Sequence, residues 1–206
     1  MWSLLQAAGW PAYLILVASL ATMVIIVFCA FRLRRSEVCP SGLLKKVAGQ
    51  YKDKGISPEM LTQLHGHSDL GKVFATALKN MRNKREVIKE SIEETGRAVA
   101  HDLEFLVPTL GTIATVAPLL GLLGTVIGMI EIFGAQSGAS ANPAVLAHGI
   151  SVALYNTAFG IIVAVPAMLA YRYFRARVDD LLIDMEQQAI KLVEIIFRVI
   201  LCFCDF

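Results

Sequence analysis

Residues 106 to 133 read LVPTLGTIATVAPLLGLLGTVIGMIEIF. From Phe105 to Ile130 there is no charged side chain, and a helix rising about 1.5 Å per residue needs roughly 20 such residues to cross a bilayer. The stretch also holds residues that a plain anchor does not need. On a helix turning about 100° per residue, Gly111, Pro118, Gly121, Gly124, Thr125 and Gly128 fall within an arc of about 140°. Most Leu, Ile and Val residues are left to the other side. Small residues let helix backbones approach closely, so this face is expected to lie against another helix or a protein-lined passage.

Working outward, two more long apolar runs appear: residues 12–31 and residues 145–171. The 206-residue chain is 56% hydrophobic and 17% charged, too apolar for an ordinary soluble domain. No Lys or Arg precedes the first run, and it ends at the basic cluster Arg32, Arg34 and Arg35. That is the reverse of a signal peptide, so a retained membrane helix is expected. Residues 32–104 carry fourteen Lys or Arg against ten Asp or Glu, whereas residues 134–144 carry no charge. The third run exits into Arg172, Arg175 and Arg177. The positive-inside rule then puts the N-terminal residues 1–11 and the 134–144 link in the periplasm, with 32–104 and 172–206 in the cytoplasm. The expected fold is an all-α membrane protein. Its three transmembrane helices span 12–31, 105–133 and 145–171, and the second and third extend into a cytoplasmic helical bundle.

Between the first two spans, Pro40, Gly42, Gly49, Gly55, Pro58 and Gly66 imply short helices joined by turns. Residues 70–104 read as one long amphipathic helix leading into the second span. In the tail, Val178, Leu181, Leu182, Met185, Leu192, Ile195, Ile196 and Val199 form an apolar stripe that needs a packing partner, and the middle segment is the candidate.

The third span repeats the pattern of the second. With Thr157 at the centre, Gly149, Ala153, Gly160, Ala164 and Ala167 lie within about 80° on one side, and Pro166 lies opposite. Each of these two helices thus presents a small face with a threonine, Thr125 or Thr157. Either hydroxyl can simply bond back to a carbonyl one turn earlier.

Chemistry is sparse. The middles of all three spans lack Asp, Glu, Lys and Arg, with Glu131 and His148 only at span ends. A complete proton relay cannot be built within one chain, so any carboxylate that carries protons must come from another subunit. No GxSxG, HExxH, glycine-rich phosphate loop or clustered acid pair is present, so no enzyme is expected. His65-Gly66-His67 has no nearby ligands and reads as a solvated loop rather than a metal site. The four cysteines, with no CxxC pair, read as free thiols, and a net charge of +2 gives no reason to expect nucleic acid. No cofactor is expected.

The run Ala117-Pro118-Leu119-Leu120-Gly121-Leu122-Leu123-Gly124-Thr125-Val126-Ile127-Gly128-Met129-Ile130 closely resembles a signature of the MotA/TolQ/ExbB proton-channel family. Ala153-Leu154-Tyr155-Asn156-Thr157-Ala158-Phe159-Gly160, then Ala164-Val165-Pro166-Ala167 and Tyr171, resembles the family's other signature at the right distance. Size and the single early span are similar to the ExbB and TolQ branches. The resemblance implies a homo-oligomeric ring, usually of five copies, around a smaller ExbD/TolR-like protein whose one span supplies an essential Asp. TonB-like or TolA-like proteins are the implied recipients of the work. It also implies that Thr125 and Thr157 face the proton pathway. Pro118, Gly121, Gly124, Gly128, Ala153, Gly160 and Pro166 are assigned to helix packing and pore shape. Several members carry a Glu five residues before the third-span threonine, where this chain has Val152. A TonB-linked motor, a Tol-type envelope motor and a non-conducting scaffold remain the readings.

Overall fold

The computed structural model describes residues 10–81, 83–135 and 143–204. Among them, eight helices follow in order: α1 Trp10–Arg32, α2 Arg35–Val38, α3 Leu43–Lys54, α4 Pro58–His67, α5 Asp69–Lys79, α6 Arg85–Glu104, α7 Val107–Ala135 and α8 Pro143–Cys204. The described residues contain no strand, so the protein is an all-α membrane protein. α1, residues Val107–Gly134 of α7, and α8 from Gly149 are long and apolar enough to cross a membrane. The chain divides into two compact units, one of residues 1–29 with 106–173 and one of residues 30–105 with 174–206. Residues 136–142 of the 134–144 link lie outside the described residues, as do residues 1–9.

In the first unit, Ile15 of α1, Ala117 of α7, and Val163 and Ala164 of α8 form a buried cluster, with Ala18, Ile113 and Leu120 against it. α1 turns Leu16, Val17, Leu20, Met23, Val24, Val27 and Phe28 outward, as a lipid-facing helix must. Thr22 is buried, and its hydroxyl donates to the Ala18 carbonyl at 2.8 Å.

The second unit is built like a soluble domain. Ser57 and Ser68 cap α4 and α5, accepting from the amides of Met60 and Gly71 at 3.2 and 3.1 Å, and Pro58 opens α4. Asp69 is buried in the first turn of α5, where the helix dipole favours an anion. Arg32 at 3.1 Å and Lys72 at 2.9 Å hold its carboxylate. The core joins Val73, Phe74, Ala77 and Leu78 of α5, Ile88, Ile92 and Val99 of α6, and Val178, Leu181, Met185, Leu192 and Ile196 of α8. Five of the eight stripe positions in the tail are therefore buried. Leu182 and Ile195 are half-buried, and the side chain of Val199 is not among those described.

One expectation is corrected. Residues 70–104 are not one helix: α5 ends at Lys79 and α6 starts at Arg85. The Asn80 amide side chain turns back to the Thr76 carbonyl at 3.2 Å, and Asn83 donates to Asn80 Oδ1 at 3.2 Å. Asparagine competes well for backbone groups in this way. The turn lets α5 and α6 pack on each other, with the Thr76 and Thr95 hydroxyls 3.1 Å apart. A straight helix would have left Phe74 and Ile88 without a common core. The boundary between α6 and α7 is slight by comparison, since Phe105 keeps helical dihedrals of −45° and −43°. α8 passes Pro166 as one 62-residue helix.

Cys29 and Cys39 are free. Burial, then the charges of Asp184 and Asp69, push the Cys39 thiol up to about 11 against the opposing Arg35 and Arg177. It is protonated at neutral pH and a poor nucleophile. His65 and His67 lie exposed in the last turn of α4, a helix end rather than a loop.

Glu186 of α8 lies beside α6: a Cβ on Gly96 would sit 3.5 Å from its Oε1 and 3.0 Å from Leu182 Cδ1. Burial and then the like charge of Glu93 raise its pKa, while Arg97 lowers it. Because the folded chain holds this proton more tightly than the unfolded one, ionisation of Glu186 weakens the fold. The cost is full above the folded pKa and gone below the ordinary Glu value. Glu186→Gln is therefore expected to raise the melting temperature at neutral pH, by an amount that shrinks as the pH falls toward 4.5. Thermal melts across that range check it. A gain that grows on acidification would contradict the assignment.

Candidate functional site

α7 and α8 run antiparallel in the first unit and meet through residues with little or no side chain. A Cβ on Gly160 would lie 2.6 Å from the Ala117 carbonyl oxygen and 3.2 Å from Gly121 Cα. One on Gly121 would lie 2.7 Å from the Asn156 carbonyl oxygen and 3.0 Å from Thr157 Cα. Gly124 faces the Asn156 side chain, and a Cβ on Gly128 would stand 3.4 Å from that of Ala153. These contacts form a ladder, 117 with 160, 121 with 157, 124 with 156 and 128 with 153. Distances of 2.6–2.7 Å to backbone oxygen exclude any side chain at Gly121 and Gly160. Close approach of this kind gives membrane helices the van der Waals contact that replaces the hydrophobic effect.

The structure brings six of the nine sequence-assigned residues into this seam or onto its edge: Gly121, Gly124, Gly128, Ala153, Gly160 and Thr157. Thr125 and Pro118 flank it, half-buried. Pro166 is exposed and faces away from the seam, as its place opposite Thr157 implied. It removes one backbone donor from α8.

The positions of the two threonines follow from the ladder and the helical turn. On α7 the buried residues Leu110, Ala117, Gly121 and Gly124 centre the seam, and Thr125 lies about 60° to one side. On α8 the seam centres on Ala153, Asn156, Gly160 and Ala167, with Thr157 about 65° to one side. In an antiparallel pair, equal offsets of the same sign put both residues on the same flank. The ladder also puts them within about one helical turn, ~5 Å, of the same depth. The Thr125 hydroxyl donates to the Leu122 carbonyl at 2.7 Å, so the local back-bond is present. Its oxygen keeps lone pairs for a further donor. Glu131 is exposed beyond this level, and Val152 is half-buried. Among the described residues, no three His, Cys, Asp or Glu gather into a metal site.

Sequence reasoning passed over Asn156. It is 2% exposed and lies inside an apolar span. An uncharged carboxamide was not sought among ionisable groups, yet a polar residue adjoining the signature threonine on a small-residue helix was the available signal.

The sequence profile of the MotA/TolQ/ExbB proton channel family matches residues 65–187, more than half of the chain, and covers both helices of the seam. The chain belongs to this family. Among its relatives, the Tol-Pal system protein TolQ of Haemophilus influenzae is 31% identical over 75% of each chain. The biopolymer transport protein exbB1 of Vibrio cholerae is 27% identical over 88% of this chain and 82% of its own. A putative ExbB homolog of Methanothermobacter thermautotrophicus is 33% identical over 62% of this chain. The match spans 46% of that relative's length.

Membership gives the seam a context, and its tightness is open to test. Gly121→Ala forces a methyl onto immovable backbone, and overpacking of this kind costs about 1–3 kcal/mol. A marked loss of melting temperature is expected relative to Gly66→Ala, where a methyl meets nothing within 4 Å. Equal stability of the two variants would show that the helices are not in contact at Gly121.

Proposed function

We propose that this chain is the ring-forming subunit of an inner-membrane motor driven by the proton-motive force, and that it energises TonB-dependent outer-membrane transport. The observation that carries the reading is the pair of hydroxyls, Thr125 and Thr157, on one flank of the α7–α8 seam at nearly one depth. Copies of the chain arranged in a ring, five in number, turn this flank toward a central ExbD/TolR-like helix. That helix supplies the Asp that the spans of this chain lack. When the Asp is protonated, the hydroxyls accept from it; when it is ionised, Thr157 donates to it, and Thr125 does so by turning its proton away from the Leu122 carbonyl. The N-terminus and the 134–144 link face the periplasm, and the charged unit lies in the cytoplasm, where its basic excess belongs. The partner's periplasmic part then acts on a TonB-like protein.

The TolQ relative, aligned over three quarters of both chains, favours a second reading in which the same motor drives a TolA-like protein and maintains the envelope. Deleting the gene separates the two: loss of TonB-dependent uptake with an intact envelope supports the first, and the reverse supports the second.

The test of the site is proton flux into vesicles holding this chain and its partner. Proton-transfer groups contribute about 10²–10⁴-fold in rate. Thr157→Val keeps the shape and removes the hydroxyl, and is expected to cut flux at least about tenfold, by that scale, while copies per complex stay the same. Thr125→Val is expected to act in the same direction. Undiminished flux in both variants would remove these hydroxyls from the pathway, and a wild-type complex that assembles but conducts nothing would favour a scaffold.

A further inference from the structure

We propose that Asn156 is a positioning residue: its side chain, seated in the notch left by Gly124, sets the register of α7 against α8 and thereby aims Thr157 at the flank it shares with Thr125. The consequence for proton flux rests on the function proposed above; the register does not.

Asn156 is a carboxamide buried to 2% exposure in an apolar span, and it fits one place in the seam. A Cβ on Gly124 would lie 2.8 Å from Asn156 Nδ2 and 2.9 Å from both its Cβ and Cγ. Three atoms of one side chain thus fill the space that a methyl would need. The fit is specific to this register. A slide of one residue moves α7 by about 1.5 Å and turns about 100°, bringing Leu123 or Thr125 toward Asn156 in place of glycine. A slide of a whole turn would bring Gly121 or Gly128 opposite, but two other fits resist it. Gly149 receives the Ile132 side chain, and Gly111 lies against the Tyr171 ring, 3.3 Å from a would-be Cβ. The three fits stand at different depths, and the middle one adjoins the threonine.

Asn156 and Thr157 are consecutive, so their side chains diverge by about 100° on α8. With Asn156 held in the seam, Thr157 is turned to its edge. If Asn156 is released, α8 can rotate or slide and carry the hydroxyl out of line with Thr125, although the helices still pair.

The experiment exchanges volume across the contact. Gly124→Ala, Asn156→Gly and the double variant are prepared as complexes with the single-span partner; glycine is needed at 156 because the Asn156 Cβ alone would stand 2.9 Å from a methyl at 124. Register is read by oxidative cross-linking of Gly128→Cys with Ala153→Cys. The 3.4 Å between a would-be Cβ at 128 and the Ala153 Cβ is close to the span of a disulfide. Gly124→Ala and Asn156→Gly are each expected to lower the cross-link yield severalfold, the first by a clash and the second by emptying the notch, and the double variant, in which the side chain and the notch change places, to restore it. Flux per assembled complex is expected to fall about tenfold in each single variant and to recover in the double variant, by the scale of a proton-transfer group misplaced by one turn. A residue that only stabilised the helices would change the yield of complex and leave flux per complex alone. If Gly124→Ala does not assemble, assembly of the double variant supports the lock. Full cross-linking in Gly124→Ala, or no recovery in the double variant, overturns it. If the native complex conducts no protons, the functional reading fails and the cross-link still decides the register.

Discussion

Everything in the membrane unit depends on a backbone contact that no side chain could tolerate. The Asn156 carbonyl oxygen and Thr157 Cα lie 2.7 and 3.0 Å from where a Cβ on Gly121 would stand, and the Ala117 carbonyl oxygen lies 2.6 Å from where one on Gly160 would stand. Lipid tails are as apolar as leucine, so burying leucine between these helices would gain little. Removing side chains instead lets two backbones touch along several turns and fixes their separation. Fixed separation in turn fixes which residues are left on the flanks. Thr125 and Thr157 are there, and their common side and depth follow from the ladder rather than from any direct bond between them.

The second unit solves a different problem. It uses a packed apolar core, serine caps and an ion-paired Asp69 instead of glycine contacts. Its surface pairs, Arg35 with Asp184 at 2.7 Å and Arg85 with Glu194 at 3.4 Å, are substantially exposed and add little. The single helix α8 serves both regimes: small residues face α7 in the span, and a Val, Leu and Met stripe meets α5 and α6 further on.

Much of this was legible in the residues. Three uncharged runs gave the spans, a 3.6-residue periodicity gave the tail's buried stripe, and the arc of glycines gave the seam. The break between α5 and α6 was not legible, because Asn80 and Asn83 sit in an otherwise helical pattern. Only the chance to pair Phe74 with the Ile88 and Ile92 side of α6 decides the turn. The site was half legible. Glycine positions announce a close approach, but which of them faces what depends on register, and register is a tertiary quantity. Asn156 went unseen for that reason: its role exists only opposite Gly124. Pro166 was assigned to the pore by resemblance, and its place on the far face was already implied by its angle to Thr157.

The most direct test of the central claim is native mass spectrometry of the complex extracted from its own membranes. A ring subunit that borrows its carboxylate must be found with the chain that lends it. Five copies of this protein with one or two copies of a small single-span protein, bearing an Asp in its span, is the result expected of the proton-driven motor. A lone chain, or a homo-oligomer without such a companion under conditions that preserve these complexes, would contradict it.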